Sequence, residues 1–532
     1  MTIDFLVILA YFVSIFSIGL YVGRKQSSLE SYALGDRNLP WWAILASIIA
    51  AEISAATFLG APGEGFALRN FTYAQLAIGT ILGRIIVGKL FLKPYYDYKV
   101  VSIYEYLEKR FGTHTRRWAS ATFLISRVLA SGTRLFFAGI LLVIAYKFIT
   151  GNESASPMET VVIYIAALSI ITICTAIYTT LGGLKAVVWT DVLQASILAI
   201  SILTTIGVLF FGIMGDGSFG DAWATICASL GNTANNPCGI EHLQPWKVFD
   251  FGIVEGGFLD QAKNILGSEY TLWSALLGAT FLTMATHGTD QDMVQRMLAA
   301  KDNKTGSKAV ILSGIIDLPV VCTFLFCGMM LFVFYDVNGI TPPTEQIEIF
   351  PSFIIHHLPV GVRGLLVAAL LATAMGSLST ALNALATTAT KDWYRDVYRP
   401  KASDSDMLRA VRWMTVLFAV LLIAVGAVSA YYAVLHPEVR ILPIALGIFG
   451  YTYGSLLGIF LLGMLTKNRG SDLGNVLAML AGFAVIILLE WGKSEGWATA
   501  IAFPWRVTIG TLVTFAVGAC FRSSARTVTN QG

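Results

Sequence analysis

Uninterrupted apolar runs of about 20 residues recur along this chain and limit it to one kind of fold. In a run of that length every backbone N–H and C=O must be satisfied inside lipid, which a helix achieves. Transmembrane β-barrels are excluded, because their strands alternate apolar and polar residues. The polar residues agree: 13% of the 532 residues are charged, about half the roughly 25% of a soluble domain. A soluble enzyme and a disordered chain are thereby excluded. So is a nucleic-acid binder, since the net charge is +3 and the basic residues form no single stripe. The expected fold class is an all-α integral membrane protein.

Hydropathy predicts about 13 transmembrane helices, at 5–23, 41–66, 72–92, 119–148, 159–180, 187–213, 271–288, 309–335, 361–390, 411–435, 441–465, 473–491 and 504–521. The first run reads as an anchor, not a cleaved signal, because its charges, Arg24 and Lys25, follow the apolar stretch. With the N-terminus outside, alternation places the basic segments 99–117, 296–308 and 391–412 on the cytoplasmic side, together with the C-terminus. A cell (plasma or inner) membrane location and a multi-pass topology follow. The polar loop 215–269 then lies outside and carries Cys227 and Cys238, either a disulfide or two free thiols. The sequence has no Walker motif, which argues against ATP as the driving force. No nucleophile–base pair or metal cluster stands out, so the chain is not expected to be an enzyme.

Three segments carry polarity to mid-membrane depth. The second span runs Ala50-Ala51-Glu52-Ile53-Ser54-Ala55-Ala56-Thr57 and continues into Gly60, Pro62, Gly63 and Gly65. Glycine and proline predict a broken helix there, and backbone freed at that depth lines a cavity or lies buried in protein. The seventh span turns polar through Thr283, Thr286, His287 and Asp290, a gate or a polar helix end. Between these two spans lie four others. Spans 2–6 and 7–11 therefore read as two five-helix copies, inverted because five is odd. On the ninth span Thr373, Gly376, Ser377 and Thr380 share a face. Such oxygens suit a small hard cation, although small and hydroxyl residues also pack membrane helices. Arg127 and Arg134 share a face of the fourth span, and Arg127 reads equally as an anion anchor or half of an ion pair. Asp191 opens the sixth span, where an acid also serves as a cap.

The chain resembles the sodium:solute symporter family over nearly its whole length. The resemblance rests on Leu39-Pro40-Trp41-Trp42, the run 54–63, Gly182 to Asp191 with Gln194, Val294-Gln295-Arg296 and Pro359-Val360-Gly361-Val362-Arg363-Gly364. It implies a five-plus-five inverted-repeat bundle of the amino-acid-symporter type, working by alternating access on a sodium gradient. The implied organisation is an extra N-terminal helix and linker (1–38), a first repeat (39–214), an outer loop (215–270), a second repeat (271–466), and C-terminal extra helices with a short tail (467–532). Na+ is the implied co-transported ion, with no organic cofactor. Its main site is implied at the backbone carbonyls of Ala50 and Ile53 with Thr373, Gly376 and Ser377. A second sodium site is implied at Asp191, Ser379 and Thr380.

One position departs from the family: Gly376 stands where a hydroxyl residue is usual. Thr373, a water or the Glu52 carboxylate would have to replace that oxygen. Ser54, Thr57, Gln75 and Arg127 fall at substrate-contacting positions of sialic-acid-type members, which the chain resembles better than sugar-type ones. Glu52 departs there, replacing a small polar residue, Thr286 stands at the sugar-stacking tyrosine position, and Thr283 completes the expected substrate-binding set. Ala77 and Thr80 replace the polar residues of sugar-type members. The expected function is thus sodium-coupled symport of a small organic solute, a carboxylate such as sialic acid or a monocarboxylate, by a monomer in the lipid bilayer. The alternatives are sodium- or proton-coupled symport of a neutral solute (a sugar, polyol or amino acid) and a solute sensor that no longer transports.

Overall fold

A computed structural model describes residues 2–23, 26–151, 155–231, 244–436, 441–495 and 501–522. Their regular elements are helices; among the described residues there are two isolated β-bridges and no strand. The helices that build the site and its frame are α1 (Thr2–Val22), α2 (Trp41–Glu52), α3 (Ala55–Leu68), α4 (Leu76–Ile86), α5 (Thr113–Thr150), α6 (Pro157–Met214) and α7 (Thr280–Gly288). They continue with α8 (Gln291–Leu298), α9 (Asn303–Val337), α10 (Val362–Thr388), α11 (Asp404–Leu435), α12 (Ile441–Leu465), α13 (Asp472–Ser494) and α14 (Phe503–Cys520).

Among the described residues, ten helices are long and apolar enough to cross a membrane, or up to eleven if the bent pair α2–α3 is one span. The expected thirteen differs at two places. Helix α6 holds two of the expected spans, 159–180 and 187–213, and a non-helical kink at Gly183 separates them. The expected span 271–288 divides into a π-helical turn, Ser274–Ala279, and the nine-residue α7. Inside α6, Gly183 takes φ 56° and ψ −160°, a backbone state that glycine alone adopts readily. A Cβ there would also lie 2.6 Å from the Tyr32 carbonyl oxygen. Cys238, Arg24 and Lys25 lie outside the described residues, so the Cys227–Cys238 pairing is not described.

The second span is broken as expected, but ahead of its glycines and proline. Ile53 leaves helical geometry at ψ 82°, Ser54 is extended, and α2 and α3 meet at 68°. Ser54 starts α3 as its N-cap, accepting the Thr57 backbone N–H at 3.4 Å. Pro62 and Gly63 sit within α3. The glycines serve packing instead: a Cβ on Gly65 would lie 2.2 Å from the Leu325 carbonyl oxygen, and one on Gly328 2.0 Å from that of Pro62. Backbones of α3 and α9 therefore touch directly, the membrane route to close helix contact.

Helix α10 is the buried axis, packed chiefly on α6 and also on α5, α1 and α2. Its N-terminal end is capped from a distance. Asp4 on α1 accepts the backbone N–H of Gly361 at 2.8 Å and of Gly364 at 2.9 Å. Helix α1 turns Ile3, Phe5, Leu6 and Leu9 outward, as a lipid-facing helix does.

Candidate functional site

The break between α2 and α3 decides where backbone oxygens become free. In a continuous helix the Ser54 N–H would bond the Ala50 carbonyl. Here it bonds the Glu52 carbonyl at 2.8 Å. The Ala50 oxygen thus loses its helical donor beside α10. On α10 the hydroxyls bond their own helix: Thr373 to Leu370, Ser377 to Ala374, Ser379 to Gly376 and Thr380 to Ser377, all at 2.8–3.1 Å. Each keeps its oxygen lone pairs for a further partner.

Next to the break lies a cavity lined by Ser54, Ala55, Arg127, Ser131, Arg134 and Ser377, among others. Three hydroxyls and two guanidinium groups thus meet the start of α3 and the middle of α10. The two arginines have different surroundings. Arg127 is bound by Asp290 at 2.9 Å and by Asp292. Arg134 stacks on the Phe449 ring, its guanidinium carbon 4.5 Å from the centroid, and has no acidic partner among the described residues.

Arg127 begins a continuous buried network toward the α7–α8 junction. Tyr453 donates to Asp290 at 2.5 Å. Asp292 also accepts from Arg296 at 2.7 Å, Arg296 donates to the Ser47 hydroxyl at 2.9 Å, and Ser47 donates to Asp191 at 2.5 Å. Of the two readings of Arg127, the ion pair is the one that these contacts form. Asp290 also N-caps α8, accepting the Asp292 N–H at 2.8 Å.

Glu52 turns the other way. It pairs with Arg84 and lies 3.1 Å from His287 Nε2. Arg84 further meets Asp317 at 3.7 Å and Ser313 at 3.0 Å, and Thr80 donates to Asp317 at 3.2 Å. Glu52 is therefore engaged with α4 and α7, not with Arg127.

Taken over its length, the chain matches the family model described as "Sodium:solute symporter family" across residues 32–482. The chain belongs to the sodium:solute symporter family. It is 27% identical to the sodium/sialic acid symporter NanT of Aliivibrio fischeri over 97% of this chain and 92% of that protein. It is 24% identical to the sodium/sialic acid symporter SiaT of Proteus mirabilis over 92% of this chain and 90% of that one. Its fold is similar to that of a solved substrate-bound, outward-open sodium-coupled sialic acid symporter, with a TM-score of 0.75 at 22% identity and 97% coverage of both chains.

Within this symporter, the expected residues divide among several places. Ser54, Arg127 and Ser377 line the cavity. Ala50 lies on α2, Ile53 at the break, Asp191 on α6, and Thr373, Gly376, Ser379 and Thr380 on α10; none of them lines the cavity. Thr57 sits one turn into α3, its backbone N–H on the Ser54 cap. Gln75 lies under the segment 244–270, where its amide donates to the carbonyls of Thr72 and Tyr270 and accepts the Asp250 N–H at 3.0 Å. Thr283 packs against Gly83 of α4, and the Thr286 hydroxyl lies 3.0 Å from His287 Nδ1. The sequence reading did not place Ser131 in the site and noted Arg134 only for the face it shares with Arg127. Their signal was the shared face with Arg127, since 127, 131 and 134 follow helical spacing.

Proposed function

We propose that the protein carries a small organic solute with a carboxylate group across a cell membrane, driven by inward sodium and working by alternating access. The observation that supports the carboxylate is the cavity at the α2–α3 break, where Arg134 has an aromatic ring but no acidic partner among the described residues. A guanidinium grips a carboxylate with two parallel hydrogen bonds, and Ser54, Ser131 and Ser377 supply further polar contacts. Arg127 then acts as the wall behind the site, since Asp290 and Asp292 already hold it. Likeness to NanT and SiaT makes sialic acid the first solute to test.

For sodium, the chemistry of the donor set fits. The Ala50 carbonyl is released by the break, Ile53 is the residue at the break itself, and Thr373 and Ser377 supply hydroxyls from successive turns of α10. Sodium binding there would fix the bent helix against α10, and so shape the solute cavity that shares Ser54 and Ser377. Asp191, Ser379 and Thr380 are the proposed source of a second sodium contact. The repeats are proposed at 39–214 and 271–466, with the N-terminus outside, the C-terminus cytoplasmic and the monomer as the working unit.

The contact between Glu52 and His287 supports a second reading, proton coupling. Purified protein in proteoliposomes, given a carboxylate panel including sialic acid, separates the two. Uptake that requires an inward sodium gradient, with potassium ineffective, supports the first. Uptake that follows an inward proton gradient and loses its pH dependence in Glu52→Gln supports the second and overturns the first.

A further inference from the structure

The segment between α6 and α7 leaves its apolar residues uncovered. It holds a ten-residue helix, Phe258–Gly267, none of whose residues is buried. At about 100° per residue, Phe258, Leu259, Ala262, Ile265 and Leu266 fall within roughly 120° of its circumference. Asp260, Gln261, Lys263 and Asn264 take the rest. Phe258 is 85% and Leu259 71% exposed, and Ile253, just ahead of the helix, is 76% exposed. A contiguous apolar surface of this kind marks a contact with lipid or with another protein.

Two hydrogen bonds fix where that surface sits. Trp505 Nε1 donates to the Ile265 carbonyl at 3.1 Å, and the Ala502 N–H donates to the Leu266 carbonyl at 2.8 Å. Ala502 is the N-cap of α14 and Trp505 lies in its first turn, so the helix is held at the level where an apolar span begins. Beside it Gly278 packs on Pro504, and Trp273 and Leu277 are half-exposed. Tryptophan collects at that depth, where lipid meets water. The apolar side of the helix thus continues a surface that already faces lipid. Charge selects the mode of contact: the segment 244–270 carries two lysines and four acidic residues. Attraction to anionic headgroups therefore gives it no hold, and burial among acyl chains does.

We propose that the helix Phe258–Gly267 is a membrane-interface anchor. Phe258 and Leu259 lie among phospholipid acyl chains, and Asp260 and Lys263 turn toward water, as on other helices that rest in the plane of the interface. The anchor is tied to the helical bundle, because Asp250 and Tyr270, on either side of it, both bond Gln75 at the start of α4. It needs neither sodium nor solute.

The test is photo-cross-linking of the full chain in phosphatidylcholine vesicles, read by intact-protein mass spectrometry. Phe258→p-benzoylphenylalanine is expected to gain the mass of a lipid. Its yield should be within about threefold of that from Ile487→p-benzoylphenylalanine, at a 59% exposed position of α13. Lys263→p-benzoylphenylalanine, on the polar face, is expected to give at least about fivefold less. Replacing about a third of the lipid with phosphatidylglycerol should leave the yields within about twofold. Cross-links from position 258 to this chain or to a second copy overturn the anchor, as does the absence of any adduct. A yield that follows the anionic lipid overturns it as well. Hydroxyl-radical labelling of the unsubstituted protein in the same vesicles removes any dependence on the variants' folding. Phe258 is expected to be oxidised at least about fivefold more slowly there than in the free tryptic peptide 248–263, and an equal rate overturns the anchor.

Discussion

Arg127 and Arg134 share one face of α5 and belong to opposite kinds of region. Around Arg127 the charges are held by one another, from Tyr453 and Asp290 through Asp292 and Arg296 to Ser47 and Asp191. Around Arg134, among the described residues, the guanidinium meets the Phe449 ring and no ion-paired carboxylate. The first region fixes α5 to the α7–α8 junction and α2 to α6. The second faces the cavity lined by Ser54, Ser131 and Ser377. Residue type does not distinguish the two regions, because both contain arginine and serine. What distinguishes them is which charges have found protein partners.

Substitutions can break that contrast, and the largest expected effect lies in the paired region. Asp292→Ala leaves Arg127 and Arg296 each short of a carboxylate, and unpairing a buried charge costs about 3–5 kcal/mol. We expect the variant to lose its thermal unfolding transition in detergent or to show it at a much lower temperature. A wild-type transition would mean that the network does not hold the helices together.

Next comes Arg134→Ala, with the opposite signature. Loss of a charge-assisted contact of about 1.5–3 kcal/mol raises the half-saturating concentration of a carboxylate solute roughly 10- to 150-fold. The melting temperature should stay near that of the wild type, and Arg134→Lys should recover part of the affinity. An Arg134→Ala protein that melts early and transports normally would reverse the assignment of the two arginines.

How much of this was legible in the sequence depends on the range of the interaction. Apolar runs announced the spans because lipid burial is a local requirement. The count was less legible at 271–288, where the expected span divides into a π-helical turn and a nine-residue helix. The broken second span was foreseen from Pro62 and Gly63, yet the break falls at Ile53 and Ser54. Pro62 keeps the φ of a helix and removes one N–H, which α3 tolerates within a packed bundle. Partner choice was the least legible. Arg127 and Asp290 are 163 positions apart, so only the tertiary fold brings them together.

Ser54→Ala probes the boundary between the regions. It removes the N-cap of α3 and a cavity hydroxyl together, and a lost cap costs about 1 kcal/mol. The expected result is a modest fall in melting temperature with weaker solute affinity. A change in only one of the two would show that cap and cavity are separable.

The smallest effect is expected outside both regions, at the start of α9. Asp302 accepts the Thr305 N–H at 2.8 Å, and this backbone hydrogen bond, with one from the Thr305 side chain, holds its carboxyl below the ordinary value. A lowered carboxylate stabilises the fold at neutral pH and loses that contribution as pH falls through its lowered value. Asp302→Ala should therefore melt slightly below the wild type at neutral pH, and the difference should close in strong acid. A difference that widens on acidification would contradict the cap.

The bend at Ile53 and Ser54 also has an electrical consequence. It sets the carboxyl end of one helix beside the amino end of another, inside the membrane. Aligned peptide dipoles give the first end about half a negative charge and the second about half a positive one. A cation beside Ala50 and the proposed carboxylate beside Ser54 each meet a backbone terminus of favourable sign. Across so weakly polarisable a medium they also attract each other. Each lowers the free energy of the other's arrival, by the same amount in either order. One bent span thereby makes driving ion and cargo interdependent before any helix has moved.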